Sequence, residues 1–245
     1  MKILIISVVV LAVYLFTKRA DLIAISAKTA YGKGDTEKSL KKFRIAEKLG
    51  TLSISNMLLY GYILLRSGEL DEAKTTLAAA SMMKGKEQIK NRIKAMRALV
   101  MWKEGNLKDA IESLEELVKD FKNTAVYQDL GLLYILDGNK EKALKFNLEA
   151  YDYNSDDLVI MDNLAEAYAL CGKLEEAEKV YTELLEKEPH FPEAYYGYGF
   201  LLIEKGGEDN RQKGIELIKT SLDKRFSFLS VMQKDEVEAL LKKYE

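Results

Sequence analysis

The chain offers few side chains that could carry out catalysis or hold a metal ion. Its 245 residues include one histidine, His190, and one cysteine, Cys171. Zinc sites use three or four His, Cys or carboxylate ligands, and a Ser-His-Asp triad needs a histidine beside its nucleophile. A single cysteine also rules out an intrachain disulfide. The composition therefore excludes most zinc sites, most His-dependent triads and every disulfide-stapled scaffold.

Adjacent carboxylates are the remaining candidates for acid–base chemistry. The pairs Glu115/Glu116 and Glu175/Glu176 lie in predicted helices among other charged residues. Solvated helix faces explain such pairs better than proton transfer does. The sequence contains no P-loop, no Gly-rich dinucleotide turn, no HExxH and no nucleophile elbow. We therefore predict a protein that is not an enzyme and that uses no metal and no cofactor.

The elements that position these residues are predicted to be helices. The chain is rich in Leu, Lys, Glu and Ala, which favour helix. Its two prolines, Pro189 and Pro192, are fewer than a β-rich fold of this length would use. The apolar fraction of 48% is ample for a folded core. The sequence therefore predicts an all-α fold.

Charge divides the chain into a basic and an acidic half. Residues 1–103 contain 19 Lys+Arg against 8 Asp+Glu, a net charge of +11, and residues 104–245 contain 18 against 31, a net charge of −13. The overall net charge of −2 conceals this difference. Such asymmetry predicts different surroundings for the two ends.

The N-terminal segment is predicted to be an uncleaved, single-pass membrane anchor over residues 1–19. Between residues 3 and 16 there is no charge. A 14-residue helix spans about 21 Å of the roughly 30 Å of hydrocarbon, and flanking Lys and Arg side chains can snorkel across the difference. The apolar anchor residues are Ile3, Leu4, Ile5, Ile6, Val8, Val9, Val10, Leu11, Val13, Leu15 and Phe16.

Two other interpretations of this segment stay open. One is a cleaved secretory signal, although Lys18 and Arg19 follow the apolar stretch directly and fit a cleavage site poorly. The other is a buried core helix. For the anchor, the positive flank favours a C-terminal domain in the cytoplasm and a location at the cell membrane.

A repeat runs through the rest of the chain. A glycine is followed five residues later by a small residue at Gly34, Gly68, Gly105, Gly138 and Gly172, and Gly206 begins a stretched sixth copy. The small positions (Ser39, Ala73, Ala110, Ala143, Ala177 and Gly214) lie 34, 37, 33, 34 and 37 residues apart. A period in the thirties is typical of a solenoid of helical hairpins that turn on glycine.

Around these positions the sequence resembles the tetratricopeptide repeat (TPR) family. The fourth unit carries the pattern as Tyr127, Leu130, Gly131, Tyr134, Gly138, Ala143 and Ala150. The fifth carries it as Met161, Leu164, Ala165, Tyr168, Gly172, Ala177, Tyr181 and Pro189. The resemblance implies a right-handed α-solenoid of about six repeats over residues 20–223. The remaining residues, 224–245, are predicted to form capping helices, with a free amphipathic helix as the alternative.

In this family the first (A) helix of each hairpin lines a concave groove that binds a partner. The resemblance implies a groove of Leu58, Tyr62, Leu65, Leu99, Trp102, Gln128, Leu132, Ile135, Asp162, Glu166, Tyr196 and Phe200. If the register is shifted by one residue, the same side chains are ordinary core between repeats, and both interpretations stay open.

The implied groove is mostly apolar and aromatic, which favours a protein or peptide partner. The Lys and Asn positions with which some family members grip a terminal carboxylate are occupied here by other residues. An apolar or basic-apolar peptide fits better, with Asp162 and Glu166 available to a positive residue. A basic run over residues 84–97 has no aromatics for base stacking, so a nucleic-acid partner is not expected.

Two hypotheses for function follow. The favoured one is a membrane-anchored, non-enzymatic scaffold that recruits a protein partner on the cytoplasmic face. The alternative is an exported, extracytoplasmic binding protein involved in envelope assembly. The oligomeric state and the identity of the partner are not readable from the sequence.

Overall fold

The computed structural model describes residues 18–244, and every regular element in that range is an α-helix. The helices are α1 (Arg19–Gly32), α2 (Thr36–Leu49), α3 (Ile54–Arg66), α4 (Leu70–Ser81), α5 (Glu87–Lys103), α6 (Leu107–Asp120), α7 (Thr124–Asp137), α8 (Lys140–Tyr153), α9 (Leu158–Leu170), α10 (Leu174–Glu186), α11 (Glu193–Lys205), α12 (Glu208–Ser221) and α13 (Lys234–Tyr244). The predicted all-α class is confirmed for these residues.

The described chain divides into two compact units, the first ending at Val100 and the second beginning at Met101. In the first unit, α1 packs against α2, α2 against α3, and α3 against α4. In the second unit, each helix from α7 to α13 packs against the one before it along the chain. Helix α7 also packs against α9, and α9 against α11. Contacts with the next helix and the next but one are typical of stacked helical hairpins.

The turns inside the hairpins form at the predicted glycines. Six of them have a positive φ between 72° and 90°: Gly34, Gly68, Gly105, Gly138, Gly172 and Gly206. A side chain with a Cβ rarely adopts this left-handed conformation, whereas glycine adopts it at little energetic cost. The predicted role of these glycines in ending the first helix of each pair is therefore confirmed.

Polar residues start several of the second helices. The side chain of Asp35 accepts a hydrogen bond from the backbone N–H of Lys38 at 3.0 Å, and Asn139 accepts one from Lys142 at 3.1 Å. Both satisfy a backbone donor that would otherwise have no partner within its helix. Asn106 occupies the same position without a side-chain cap.

Small residues let the helices of a hairpin approach each other closely. A Cβ added to Gly199 would lie 2.7 Å from the carbonyl oxygen of Gly214, and one added to Gly214 would lie 2.6 Å from that of Gly199. In the second repeat, a Cβ on Gly61 would lie 2.6 Å from Leu77 Cδ2. These contacts leave no room for a methyl group without movement of the neighbouring atoms.

Aromatic rings fill the space beside these contacts. Phe43 stacks on Tyr60 with ring centroids 4.9 Å apart, and Tyr181 stacks on Tyr198 at 5.4 Å with planes 8° apart. All four rings are buried. Stacked pairs of this kind add about 0.5–1.5 kcal/mol beyond the burial of their area.

The C-terminal segment is helical over only part of the predicted range. Between α12 and α13 the chain forms turns, in which the Ser230 hydroxyl accepts a hydrogen bond from the Ser227 N–H at 3.2 Å. Helix α13 then buries Val237 and Leu241 in a cluster with Ile218 of α12. One helix with one buried face thus packs on the last hairpin, which is what a capping element must do.

The predicted anchor residues, Ile3 to Phe16, lie outside the residues that the structure describes. Within residues 18–244, no helix combines the length and the apolar character needed to span a bilayer.

The close approach of α11 and α12 predicts a large effect of one methyl group. We expect Gly199→Ala to reduce the free energy of unfolding by about 1–3 kcal/mol, because the new Cβ meets a backbone oxygen. The matched control is Gly32→Ala in α1, where a Cβ would meet nothing within 4 Å. Alanine is the better helix former, so the control should be neutral or slightly stabilising. Thermal melting of both variants tests this, and equal melting temperatures would contradict it.

Candidate functional site

The twelve predicted groove residues lie on the first helices of their hairpins, and the structure divides them evenly by exposure. The buried ones are Leu58, Leu65, Leu99, Ile135, Asp162 and Tyr196. The half-buried ones are Tyr62, Trp102, Gln128, Leu132, Glu166 and Phe200. Only the second group presents appreciable area to solvent, so a partner can reach only part of the predicted groove.

In the first unit, the predicted groove residue Tyr62 makes a contact between α3 and α1. Tyr62 of α3 meets Tyr31 of α1 edge-on, with centroids 6.3 Å apart. The guanidinium of Arg66 lies over the Tyr62 ring and donates a 2.9 Å hydrogen bond to its hydroxyl. Tyr62 is therefore engaged in packing within its own unit.

At the start of the second unit, Trp102 lies beside a lysine that contacts the C-terminal segment. The Lys103 ammonium lies 4.0 Å from the centroid of the Trp102 ring and 5.1 Å from that of Phe228. It also donates a hydrogen bond to the Ser230 carbonyl at 3.3 Å. Burial lowers the pKa of Lys103, and the charge of Glu193 acts in the opposite direction.

The C-terminal segment also covers the predicted groove residues of α11. The Tyr196 hydroxyl accepts a hydrogen bond from the Met232 N–H at 3.4 Å. Its ring lies 6.0 Å from Phe200, which in turn lies 6.2 Å from Tyr244. Sequence reasoning assigned the tail a capping role but missed its contacts with Lys103 and Tyr196. The sequence signal for these contacts was the group of apolar residues in the tail, which belong to no repeat.

Between these regions, the inward face of α7 and α9 is held in a fixed geometry. Gln128 of α7 donates to the Asp157 carboxylate at 2.7 Å, and Asp157 caps the start of α9. Asn163 of α9 donates to the Gln128 carbonyl at 2.9 Å. We call the surface formed by Gln128, Asp129, Leu132, Asp162 and Glu166 the α7–α9 face.

Carboxylates are the unusual feature of the α7–α9 face. Asp162 is 5% exposed, and its Oδ1 has no hydrogen-bond partner. Glu166 follows one helical turn later and is half-buried. In the described part of the chain, the charged groups that shift the pKa of Asp162 are two other carboxylates, Glu166 and Glu193. Negative charge is thus concentrated where water is partly excluded.

This environment shifts the pKa values of the carboxyl groups upward. Burial raises the pKa of Asp129 to about 7. Burial, with the nearby charge of Glu193, raises the pKa of Glu166 to about 7. Burial and the charges of Glu166 and Glu193 raise the pKa of Asp162 well above its usual value. Asp129 and Glu166 therefore exchange protons near neutral pH, as groups at binding sites often do.

The other residues that the sequence singled out are exposed or engaged in structural contacts. His190 is exposed, and the Cys171 thiol donates to the Lys140 carbonyl at 3.3 Å. Glu115 accepts from the Tyr134 hydroxyl at 2.8 Å, and Glu175 accepts from Lys205 at 2.8 Å. Residues 18–244 contain no group of three potential metal ligands.

We did not predict from the sequence that Asp129 belongs to this site. A carboxylate in the largely apolar middle of α7 was the pattern that could have indicated it. Because its pKa is higher in the folded than in the unfolded chain, the folded state binds more protons between about pH 4 and pH 7. Its contribution to stability therefore falls as the pH rises through that range.

We accordingly expect Asp129→Asn to raise the melting temperature more at pH 8 than at pH 4, because the amide removes a buried charge. The control is Asp137→Asn, an exposed residue at the end of the same helix. The difference in melting temperature between variant and wild type, measured at several pH values, checks this. A gain that does not depend on pH would contradict the assignment.

The comparisons with known proteins agree with the hairpin architecture. Two family models described as tetratricopeptide repeat match residues 95–157 and 158–201. The TPR repeat-containing protein MJ1428 of Methanocaldococcus jannaschii is 27% identical over 95 residues. That match covers 38% of this chain and 17% of the relative, so the chain spans only a small part of that protein.

Solved structures share the fold at low sequence identity. The protein TTC0263 of Thermus thermophilus, a thermophilic TPR protein, matches with a TM-score of 0.62 and 19% identity. The match covers 75% of this chain and 99% of that one. The APC/C hetero-tetramer Cut9–Hcn1 matches with a TM-score of 0.70 and 13% identity, over 92% of this chain and 42% of that one. PilF of Pseudomonas aeruginosa matches with a TM-score of 0.61 and 12% identity, over 84% of this chain and 91% of that one.

The turn glycines and stacked hairpins of the described residues and the two family models together show that residues 95–201 are tetratricopeptide repeats.

Proposed function

We propose that the chain is a non-enzymatic scaffold that binds a protein or peptide partner through the α7–α9 face. The observation that carries this proposal is the buried, unpartnered Oδ1 of Asp162, which lies beside the half-buried Glu166 on the same helix. An unsatisfied buried carboxylate destabilises the free protein, since it has lost water without gaining a partner. A ligand that supplies the missing interaction removes that penalty.

The architecture supports the same proposal. Stacked hairpins present their first helices side by side, and α7 and α9 pack directly against each other. Such arrays provide extended surfaces for binding. On this surface, Leu132 supplies apolar area and Gln128 is held by Asp157. A preorganised, partly apolar surface binds with less loss of conformational entropy than a mobile one.

Substitution of Leu132 tests the proposed face. We expect Leu132→Asp to reduce the amount of partner recovered by crosslinking and affinity capture at least tenfold, because a carboxylate replaces apolar contact area. The matched control is Leu148→Asp on α8, where the side chain is 39% exposed. Circular dichroism confirms that both variants fold. Identical partner sets for wild type, variant and control would contradict the use of this face.

We further propose that residues 1–19 anchor the chain in the cell membrane as a single span, with the repeats in the cytoplasm. The uncharged stretch over residues 3–16 and the positive flank of Lys18 and Arg19 support this topology. An exported binding protein with a cleaved leader is the competing proposal.

Charged substitutions within residues 3–16 distinguish a membrane anchor from a cleaved leader. We expect Val9→Lys combined with Val10→Lys to move the protein from the membrane to the soluble fraction, since each lysine disfavours insertion by about 2.5–3.5 kcal/mol. Leu22→Lys, at an exposed position of α1, should leave the protein in the membrane fraction. Protease added to intact cells should leave the repeats uncut. Cleavage of the repeats, or a mature N-terminus near Ala27 by mass spectrometry, would instead support export.

A further inference from the structure

We infer that Asp162 and Glu166 form a receptor for one cationic side chain, a lysine or an arginine, of the bound protein segment. This inference rests on the proposed function, because it assumes that a segment binds the α7–α9 face. It adds the chemical class of the group that is recognised there and the two residues that recognise it.

The spacing of the two carboxylates suits a single cation. Asp162 and Glu166 are four residues apart on α9, so their Cβ atoms lie about 5–6 Å apart on one side of the helix. An ammonium or guanidinium group placed between them donates to both carboxylates at once. Asp162 Oδ1 has no partner in the described chain, but it is buried, so a cation reaches it only when the side chains over it move.

The surroundings favour a cation over other ligands. Asp162 is acted on by Glu166 and Glu193, both of which are negative, and Glu166 is acted on by Glu193. An anionic ligand would meet repulsion from Asp162 and Glu166 when these groups are ionised. A metal ion is not favoured either, because no set of three ligating side chains exists in residues 18–244.

A nearby lysine of the chain does not fill this role. Lys103 interacts electrostatically with Glu193. It is not among the charged groups that shift the pKa of Asp162 or of Glu166. Its ammonium is held by the Ser230 carbonyl and by the rings of Trp102 and Phe228. The described contacts of Lys103 are therefore with the C-terminal segment and Trp102 and not with the two carboxylates.

Two tyrosines that interact electrostatically with the carboxylates add no charge to the site. The electrostatic effects of Asp162 and Glu166 extend to Tyr181 of α10 and to Tyr196 of α11. Both tyrosines are buried, and their hydroxyls remain neutral because burial raises their pKa values.

The raised carboxyl pKa values predict a dependence of binding on pH. The groups that act on Asp162 are Glu166, from its own helix, and Glu193, from α11. A cation stabilises the charged form of the carboxylates, so its binding expels protons that the free protein holds near neutral pH. Affinity for a cationic segment should therefore rise between pH 6 and pH 8.

The test uses the full chain and four pools of synthetic ten-residue peptides that differ only at one fixed central residue: Lys, Arg, Gln or Glu. At pH 8 we expect the wild type to retain the Lys and Arg pools at least tenfold more than the Glu pool. Asp162→Asn combined with Glu166→Gln should reduce that ratio to less than threefold, with near-isosteric changes that preserve the fold. The ratio for the wild type should be smaller at pH 6.

The matched control is Glu176→Gln combined with Glu186→Gln, two exposed positions on α10 with the same change in net charge. This control should retain the tenfold preference. An unchanged preference in the Asp162/Glu166 variant, an equal loss in the control, or no preference in the wild type overturns the inference. If the preference is absent while Leu132→Asp still loses its partners, the receptor is wrong and the proposed function stands. If Leu132→Asp loses none, the proposed function itself is contradicted.

Discussion

The structure depends above all on the contact between the two helices of each hairpin. At Gly199 and Gly214 the backbones approach so closely that a Cβ on either residue would lie within 2.7 Å of the other's carbonyl oxygen. Contacts this close fix the distance and rotation of each helix relative to its partner. The stacking of α7, α9 and α11 follows from these fixed hairpins, and with it the position of every carboxylate on the α7–α9 face.

The site differs from the outer helices because, among the described residues, its Asp162 and Glu166 have no cationic partner. On the outer helices, carboxylates form ion pairs, as Glu115 does with Lys142 and Glu72 with Arg44. Exposed pairs of this kind contribute little to stability. Asp162 and Glu166, in contrast, are surrounded by further negative charge in a region that excludes water. The pKa of Glu166 is raised to about 7, so in the free protein this group holds a proton part of the time at neutral pH.

Local sequence patterns predicted the hairpins well, because turn glycines and small residues act within a few positions of where they occur. The all-α class and the positive φ of glycines such as Gly138 follow from such short-range rules. The exposure of individual groove residues did not follow. Leu132 and Ile135 are three positions apart and lie only about 60° from each other around the helix, yet Leu132 is half-buried and Ile135 is buried. The contact between Lys103 and Ser230 joins residues 127 positions apart, and no local pattern encodes it.

That last contact bears on how the second unit unfolds. An open array of repeats can lose structure progressively from either end, because each repeat contacts only its neighbours. In the second unit, a hydrogen bond joins the Ser230 carbonyl, just before α13, to Lys103 at the end of α5, where the unit begins. Fraying at the C-terminal end of the second unit therefore disturbs a contact at its N-terminal end, and the two ends of the unit are coupled. This linkage favours cooperative loss of the whole unit over stepwise loss of single repeats.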